Sequence, residues 1–102
     1  MVDAGMAYRQ IAGVPQSEIE RKLAGALGRR LAGLREERGL TQEALAEASG
    51  ISRNHYQLLE SGISNRKTKR PANPRLSTLV ALSDALGMSA AELVAEVLSE
   101  RD

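Results

Sequence analysis

Residues 41–62 read TQEALAEASGISRNHYQLLESG, in which two short helical segments meet at a glycine. Thr41 and Ser52 each precede a segment and are suited to cap its first turn, because a hydroxyl oxygen accepts a hydrogen bond from a free backbone N–H. Gly50 can adopt the left-handed backbone of a tight turn without steric cost. The stretch therefore predicts one helix that ends at Gly50 and a second over about 52–61.

The apolar residues of this stretch predict which sides of the two helices are buried. The small side chain of Ala46 leaves room for the helices to cross closely, and Tyr56 is expected to pack with its hydroxyl at the surface. Six side chains are predicted to face inward, toward each other and toward a preceding helix: Leu45, Ala46, Ala48, Ile51, Tyr56 and Leu59.

A longer helix is predicted before this pair. Ser17 and Glu20 have the spacing of a capping box, which places the start of the helix at Ser17, and Gly39 is a suitable stop. Gly25 and Gly28 each weaken the middle of a helix by about 1 kcal/mol relative to alanine, so we expect them to permit close contact with another helix. Apolar residues recur at steps of three and four and mark one buried stripe: Ile19, Leu23, Leu27, Leu31 and Leu34.

Two more helices are predicted after the pair. The first runs from Leu76 to Leu86 and ends at Gly87, and the second opens with a capping box formed by Ser89 and Glu92. The sequence has no strand signal and no Phe or Trp, so its core is aliphatic, which suits packed helices. We therefore expect an all-α fold of five short helices.

Length and composition indicate how the chain is organised. The chain has 102 residues, the size of one domain. We expect a loose N-terminal arm over 1–16 and a single domain over 17–102, with a basic loop insertion at about 62–75. The absence of cysteine excludes disulfides and thiolate metal sites, and no apolar run approaches the length that spans a membrane. Since the N-terminus also lacks an export signal, we expect a cytoplasmic protein.

Basic charge is concentrated in residues 53–75. Six basic residues there stand against Glu60 alone, giving a net charge of +5, whereas the whole chain carries +1. Such a concentration favours a polyanion-binding face, and a solvated loop that happens to be basic is the plainer alternative. The length and polarity of the loop also permit disorder in the free protein, with ordering on binding. The six residues are Arg53, Arg66, Lys67, Lys69, Arg70 and Arg75.

Three segments carry a resemblance to a known family: LREERGLTQEALAEASGIS, LLESG and LSTLVALSDALGMS. Together they resemble the phage-repressor and Cro-like helix-turn-helix family, also called the Xre family of bacterial transcriptional regulators, over roughly residues 27–93. The resemblance implies a compact five-helix, lambda-repressor-like DNA-binding domain in which the second and third helices form the helix-turn-helix. The third helix would then enter the major groove.

The resemblance also implies roles for polar residues of the pair. Gln42, first in the second helix, matches a position whose side chain and backbone amide clamp a DNA phosphate, where free backbone N–H groups favour an anion. Arg53 and Asn54 match positions that meet base edges, and Arg can pair with guanine and Asn with adenine. Gln57, one turn further, is the next candidate reader. Gln42, Arg53 and Asn54 could instead be ordinary solvated surface.

Further phosphate contacts are implied around the third helix. Ser52 and Ser61 fit its two ends. His55 is the one histidine and has no metal partner in the sequence, so a phosphate contact or simple packing suits it better than catalysis. The basic loop resembles one that follows the DNA backbone in phage repressors, and its phosphate-binding residues would be Arg66, Lys67, Lys69 and Arg70, with Arg75 a further candidate. No catalytic residue, metal or cofactor is expected.

Four other residues are interpreted through the resemblance. In this family the residues that match Arg35 and Glu60 form a salt bridge, which would fix the tilt of the third helix relative to the first. Ser49 departs from the family pattern because its position is usually apolar. Leu58 departs as well, since its position is often polar or basic, and it either contacts a thymine methyl or covers the core.

Two functions are compatible with these observations. The favoured one is a sequence-specific transcriptional regulator, associated with the bacterial nucleoid when bound, that acts as a homodimer on a double-stranded DNA operator. Its signal would come through concentration, a partner protein or proteolysis. The alternative is a protein-interaction adaptor with the same helices and no specific DNA readout. An enzyme is not expected. An apolar stripe on the fifth helix either forms the dimer surface or closes the core: Leu93, Val94, Val97 and Leu98.

Overall fold

The computed structural model describes residues 15–101, which contain five α-helices. The described residues hold no strand and one antiparallel bridge, between Ile63 and Pro71. The all-α, five-helix prediction is confirmed, whereas the predicted loose arm, residues 1–16, lies outside the described residues except for its last two. The helices are α1 (Gln16–Glu37), α2 (Gln42–Ser49), α3 (Arg53–Ser61), α4 (Leu76–Ala85) and α5 (Ala90–Arg101).

The start of α1 differs from the prediction. The helix begins at Gln16 with Pro15 as its N-cap, so the prediction that Ser17 caps it is wrong. The carbonyl oxygen of Pro15 accepts hydrogen bonds from the backbone N–H groups of Glu18 and Ile19, at 3.0 and 3.2 Å. The bond to Glu18 satisfies the N–H from which a side-chain cap would otherwise accept, so the helix begins without one.

The predicted side-chain caps of α2, α3 and α5 are confirmed. Thr41 Oγ1 and Ser52 Oγ each accept a hydrogen bond from the backbone N–H three residues later, at 2.9 and 3.0 Å. In the capping box of α5, Ser89 N donates to Glu92 Oε1 at 2.9 Å and Glu92 N donates to Ser89 Oγ at 3.0 Å. These bonds satisfy N–H groups that the first turn of a helix leaves unpaired.

The turn between α2 and α3 consists of Gly50, Ile51 and Ser52. Gly50 has the left-handed conformation predicted for it, with a φ of 73°. Ile51 N donates to Ala46 O at 3.0 Å and closes the end of α2. A turn this short leaves α3 little freedom to change its direction relative to α2.

The core lies where α1 packs against α3 and α5 and where α2 packs against α3 and α4. Ala48, predicted to face inward, is exposed, and Ser49 is buried instead. The reason is helical spacing: residues four apart share a face, and Ser49 follows the buried Leu45 by four. The largest completely buried side chains of the described residues include Tyr56, Leu31, Leu45, Leu82 and Leu93.

Gly28 gives α1 its closest approach to α3. A Cβ atom at this position would lie 2.8 Å from the carbonyl oxygen of Leu59 and closer still to that of Glu60. Cβ atoms in proteins essentially never lie this close to another heavy atom, so no side chain fits there. The expectation that Gly28 permits a close helix contact is therefore confirmed, and the backbone of α1 supports the C-terminal end of α3.

Ion pairs join the middle of α1 to α5. Arg29 Nε lies 2.6 Å from Glu100 Oε1, and the neighbouring Arg30 pairs with Glu96. These contacts pair two acidic residues of α5 with basic residues of α1.

Candidate nucleic-acid interface

The outward face of α3 carries the three residues predicted to meet bases. Arg53 and Asn54 lie in its first turn and are exposed, and Gln57, one turn further, is half-buried. On the opposite side Tyr56 and Leu59 are buried, at 0% and 2% exposure. These two anchors decide which face of α3 turns outward, since the rotation per residue in a helix is fixed.

Among the described residues, Arg53 forms one weak ion pair. Its Nη1 lies 3.8 Å from Glu43 Oε2 of α2, and both side chains are largely exposed. Because exposed ion pairs of this kind contribute about 0–1 kcal/mol, Arg53 can leave Glu43 at little cost. The guanidinium is therefore available to another hydrogen-bond acceptor at the surface.

Gln42 begins α2 but is half-buried, with its side chain engaged inside the protein. Its Nε2 donates to Glu60 Oε1 at 2.9 Å, and its Oε1 accepts from Gln57 Nε2 at 3.4 Å. The amide thus connects the start of α2 to two residues of α3. The backbone N–H groups of the first turn of α2 remain the groups best placed to bind an anion.

Glu60 is the centre of a hydrogen-bond network at the end of α3. Arg35 Nε of α1 lies 2.6 Å from Glu60 Oε2, and the two side chains are 14% and 10% exposed. Tyr56 and Gln42 also donate to this carboxylate. Burial alone would raise the pKa of Glu60, but the hydrogen bonds from Arg35, Tyr56 and Gln42 outweigh it and lower the pKa below its ordinary value. The carboxylate is therefore held ionised.

The prediction that Tyr56 places its hydroxyl at the surface is wrong. The side chain is completely buried, and the hydroxyl donates to Glu60 one turn later. Burial and this hydrogen bond both raise the pKa of Tyr56 well above its ordinary value. The prediction failed because the carboxylate of Glu60 turns inward to Arg35 and thereby offers the phenol a buried partner.

The basic loop is folded into a hairpin, which we define as residues 62–72. Ser64 N donates to Arg70 O at 2.8 Å, and Ala72 N donates to Gly62 O at 3.0 Å. At the tip, Asn65 Oδ1 accepts from two backbone N–H groups, those of residues 67 and 68, at 2.8 and 3.0 Å. The base of the hairpin is fixed by Ala72, which is buried in the core at 6% exposure.

The basic side chains of the hairpin are exposed, as the sequence had suggested for phosphate contacts, and one of them reaches α3. Arg66 Nη1 donates to Asn54 Oδ1 at 2.6 Å. Lys69 adopts a left-handed backbone with a φ of 59°, which turns the chain back at the tip. The other residues predicted to contact phosphate are exposed as well: Lys67, Lys69, Arg70 and Arg75 of the loop and Ser52, His55 and Ser61 of α3 and its cap.

Three contacts of this surface were not predicted from the sequence. The pair Tyr56–Glu60 had a signal, because residues four apart on a helix are neighbours. The link from Gln42 to Glu60 depends on how α2 crosses α3, and the contact of Arg66 with Asn54 depends on the hairpin, so neither had a local signal.

Leu58 of α3 is half-buried.

Two further site types can be assessed for the described part of the chain. Residues 15–101 contain no group of three or more His, Cys, Asp or Glu side chains that could hold a metal ion. Within the same range, no single helix is both long and apolar enough to cross a membrane. Only α4 and α5 together, bent by 101°, reach that length and composition.

Comparisons with known proteins give similarities over most of the chain. A family model described as "Helix-turn-helix domain" matches residues 26–96. The chain is 42% identical over 74 residues to the uncharacterized HTH-type transcriptional regulator y4dJ of Sinorhizobium fredii, covering 72% of this chain and 82% of that protein. It is 37% identical over 70 residues to the immunity repressor protein of Bacillus phage phi105, covering 69% of this chain and 43% of the repressor.

Among solved structures, two of the clp gene regulator ClgR from Corynebacterium glutamicum are similar to this fold. Each matches with a TM-score of 0.64 at 29% sequence identity and covers 78% of this chain. The match covers 76% of one solved chain and 92% of the other.

Proposed function

Because the chain belongs to the helix-turn-helix family of DNA-binding transcriptional regulators and is not an enzyme, we propose that it recognises a specific double-stranded DNA sequence by placing α3 in the major groove. The observation that carries this proposal is the outward face of α3. Arg53 and Asn54 are exposed in its first turn, while Tyr56 and Leu59 hold the opposite face in the core.

Base recognition is assigned to three residues of α3. Arg53 would donate two hydrogen bonds to guanine, since its partner Glu43 is exposed and easily exchanged. Asn54 would pair with adenine through its amide. Gln57 would follow one turn along the groove, with its amide oriented by the hydrogen bond to Gln42.

Phosphate contacts would position the domain on the duplex without selecting a sequence. The N-terminus of α2 at Gln42 would hold one phosphate with backbone N–H groups, because the Gln42 side chain itself is directed to Glu60. The Arg35–Glu60 pair would fix the pitch of α3 against α1. The other proposed phosphate-binding residues are Ser52, His55, Ser61, Arg66, Lys67, Lys69 and Arg70.

We further propose that residues 17–102 form one DNA-binding domain behind an N-terminal arm, and that the regulator works in the cytoplasm, at the nucleoid when bound, as a homodimer that a partner protein can regulate. A single α3 contacts only a few base pairs, so two half-sites would supply affinity and specificity. Val94 and Leu98 of α5 are 36% and 42% exposed and border an apolar groove of about 220 Å³, which also involves Leu23 and Leu79. This face is the proposed dimer surface.

The dimer surface can be tested by light scattering after size exclusion. Leu98→Lys should convert the dimer to a monomer, whereas Ser99→Lys, which adds the same charge at the next exposed position, should not. A wild-type protein that is monomeric at high concentration contradicts the dimer.

DNA binding itself is tested with a salt series on two kinds of duplex: random sequence, and sequence selected by the wild-type protein from a random pool. The logarithm of the binding constant should fall linearly with the logarithm of the salt concentration, and selected duplexes should bind more tightly. Arg53→Ala should reduce that preference. Absent or salt-independent binding would instead support the protein-interaction adaptor.

The role of the hairpin is tested by two variants that remove the same charge. Lys67→Ala/Lys69→Ala should weaken binding to every duplex and reduce the salt slope by about 0.9 for each phosphate that the variant no longer neutralises. Arg21→Ala/Lys22→Ala removes two exposed cations from α1 and should leave the slope unchanged. Equal effects of the two variants would indicate net charge alone, not a phosphate contact.

A further inference from the structure

Building on the proposed DNA readout, we propose that Arg66 is a positioning residue that determines sequence specificity through Asn54. Asn54 would contact the base pair, and Arg66 would orient Asn54 without contacting that base pair itself. Arg66 lies in the hairpin, twelve residues after Asn54, and its Nη1 donates to Asn54 Oδ1 at 2.6 Å. This contact separates Arg66 from the other basic residues of the loop, for which only phosphate contacts are proposed.

The hairpin carries Arg66 back from the end of α3 to its first turn. Asn54 lies in the first turn of α3, whereas the hairpin leaves the opposite end at Gly62, about 12 Å away along the helix axis. The antiparallel bridge between Ile63 and Pro71 makes the chain double back and brings the tip, with Arg66, beside Asn54.

The backbone that carries Arg66 is held in place by local hydrogen bonds. On its N-terminal side, Asn65 O accepts from Lys69 N at 2.9 Å, and Asn65 Oδ1 closes the turn over the two residues after Arg66. The base of the hairpin is anchored by the buried Ala72. The position of Arg66 is therefore set by the fold of the hairpin, and its side chain forms the connection to α3.

The chemistry of the two groups fixes the orientation of the Asn54 amide. A guanidinium only donates hydrogen bonds, so the atom of Asn54 that faces Arg66 must be the oxygen, and the Nδ2 amino group must point away. An amide oxygen can accept two hydrogen bonds. Asn54 Oδ1 can thus keep Arg66 while it accepts from the amino group of adenine, and Nδ2 remains free to donate to adenine N7.

This orientation gives Arg66 an effect on sequence preference. Without Arg66, the Asn54 amide can rotate, and it must be ordered when DNA binds, which costs affinity for the matching base pair. The flipped amide would present its donor where adenine also has a donor. Arg66 therefore favours adenine over other bases at the position of Asn54.

The experiment compares binding to a wild-type-selected duplex and to its single-base-pair substitutions. Arg66→Ala should lower discrimination at the base pair read by Asn54 about three- to tenfold and leave discrimination at other positions unchanged. Lys67→Ala, on the same hairpin tip, is the matched control and should weaken all duplexes equally. Arg66→Lys should restore part of the discrimination because it retains a charged donor.

Two further measurements decide the assignment. In an Asn54→Ala background, Arg66→Ala should no longer change discrimination, since its route to the base is gone. The melting temperature of Arg66→Ala should match that of the wild type because both side chains are exposed. An Arg66→Ala variant that weakens all duplexes equally, as Lys67→Ala does, overturns this inference alone. A wild-type protein with no preference among duplexes overturns the proposed function as well.

Discussion

Tyr56 and Glu60, one turn apart on α3, are joined by a partly buried hydrogen bond in which the phenol hydroxyl donates to the carboxylate. The same carboxylate binds Arg35 of α1 and Gln42 of α2. Three helices therefore meet at one ionised side chain. The orientation of α3 depends on polar bonds at this point as well as on apolar packing.

Replacing Tyr56 by Phe tests the phenol hydrogen bond. The ring should still fill its place, but the loss of a donor to a charged acceptor should lower the free energy of unfolding by about 1.5–3 kcal/mol. Chemical denaturation measures this change. Ser61→Ala, an exposed change on the same helix, should have little effect, and equal stability of Tyr56→Phe and wild type would mean that the bond contributes nothing.

Glu60→Ala should be more damaging, because it leaves the largely buried Arg35 without its partner. A loss of about 3–5 kcal/mol in unfolding free energy is expected, together with weaker DNA binding. Thermal melting and duplex binding should be measured on the same preparation. An unchanged melting temperature would show that the ion pair has no structural role.

The pH dependence of stability should report the ionised state of Glu60. Its pKa is lower in the folded protein, so its stabilising contribution is complete above the unfolded-state value, about 4.3, and is lost as pH falls through the folded value. Glu60→Gln should therefore lose less stability between pH 7 and pH 3 than wild type. Glu92, whose pKa is lowered by hydrogen bonds with Ser89, affects both proteins alike. Parallel stability curves in denaturant titrations would contradict the prediction.

Gly28→Ala should destabilise the protein although alanine is the better helix former. The new methyl group would collide with backbone carbonyls at the end of α3, at a cost of about 1–3 kcal/mol. Gly33→Ala is the matched control, since the nearest atom to its Cβ is the tip of Arg30 at 4.0 Å, and it should stabilise by about 0.5–1 kcal/mol. Changes of the same sign in denaturant unfolding would disprove the close contact.

Ser49→Ala should raise stability. Ser49 is 8% exposed, and its hydroxyl has no hydrogen-bond partner among the described residues. Removing an unpaired buried hydroxyl should gain about 1 kcal/mol in unfolding free energy. Ser83→Ala serves for comparison, because that buried hydroxyl donates to Leu79 O at 2.7 Å and its loss should not stabilise. A less stable Ser49→Ala would contradict the assignment.

The local features of the fold could be predicted from the sequence because their signals lie within a few residues. Thr41 and Ser52 cap helices, and Gly50 makes the turn, through bonds to near neighbours. Pro15 displaced Ser17 as the first cap because two competing start signals lie two residues apart. Such competition shifts a helix boundary without changing the fold.

The parts of the interface that were not predicted depend on contacts between distant segments. The hairpin lacks the alternating apolar pattern that would predict it from the sequence. Its turn places Lys69 in the left-handed conformation, which is uncommon for residues other than glycine. The contact between Arg66 and Asn54 exists only once that hairpin has formed. The buried position of the Tyr56 hydroxyl likewise follows from the position of Glu60 beside Arg35.

At Gly28, the part of α3 that contacts α1 is its main chain. Carbonyl oxygens are present whatever side chains α3 carries, so the support of α1 does not depend on the identity of Arg53, Asn54 or Gln57. Substitutions on the outward face can accumulate while the helix stays in place. The domain can thus acquire a new target sequence without first acquiring a new core.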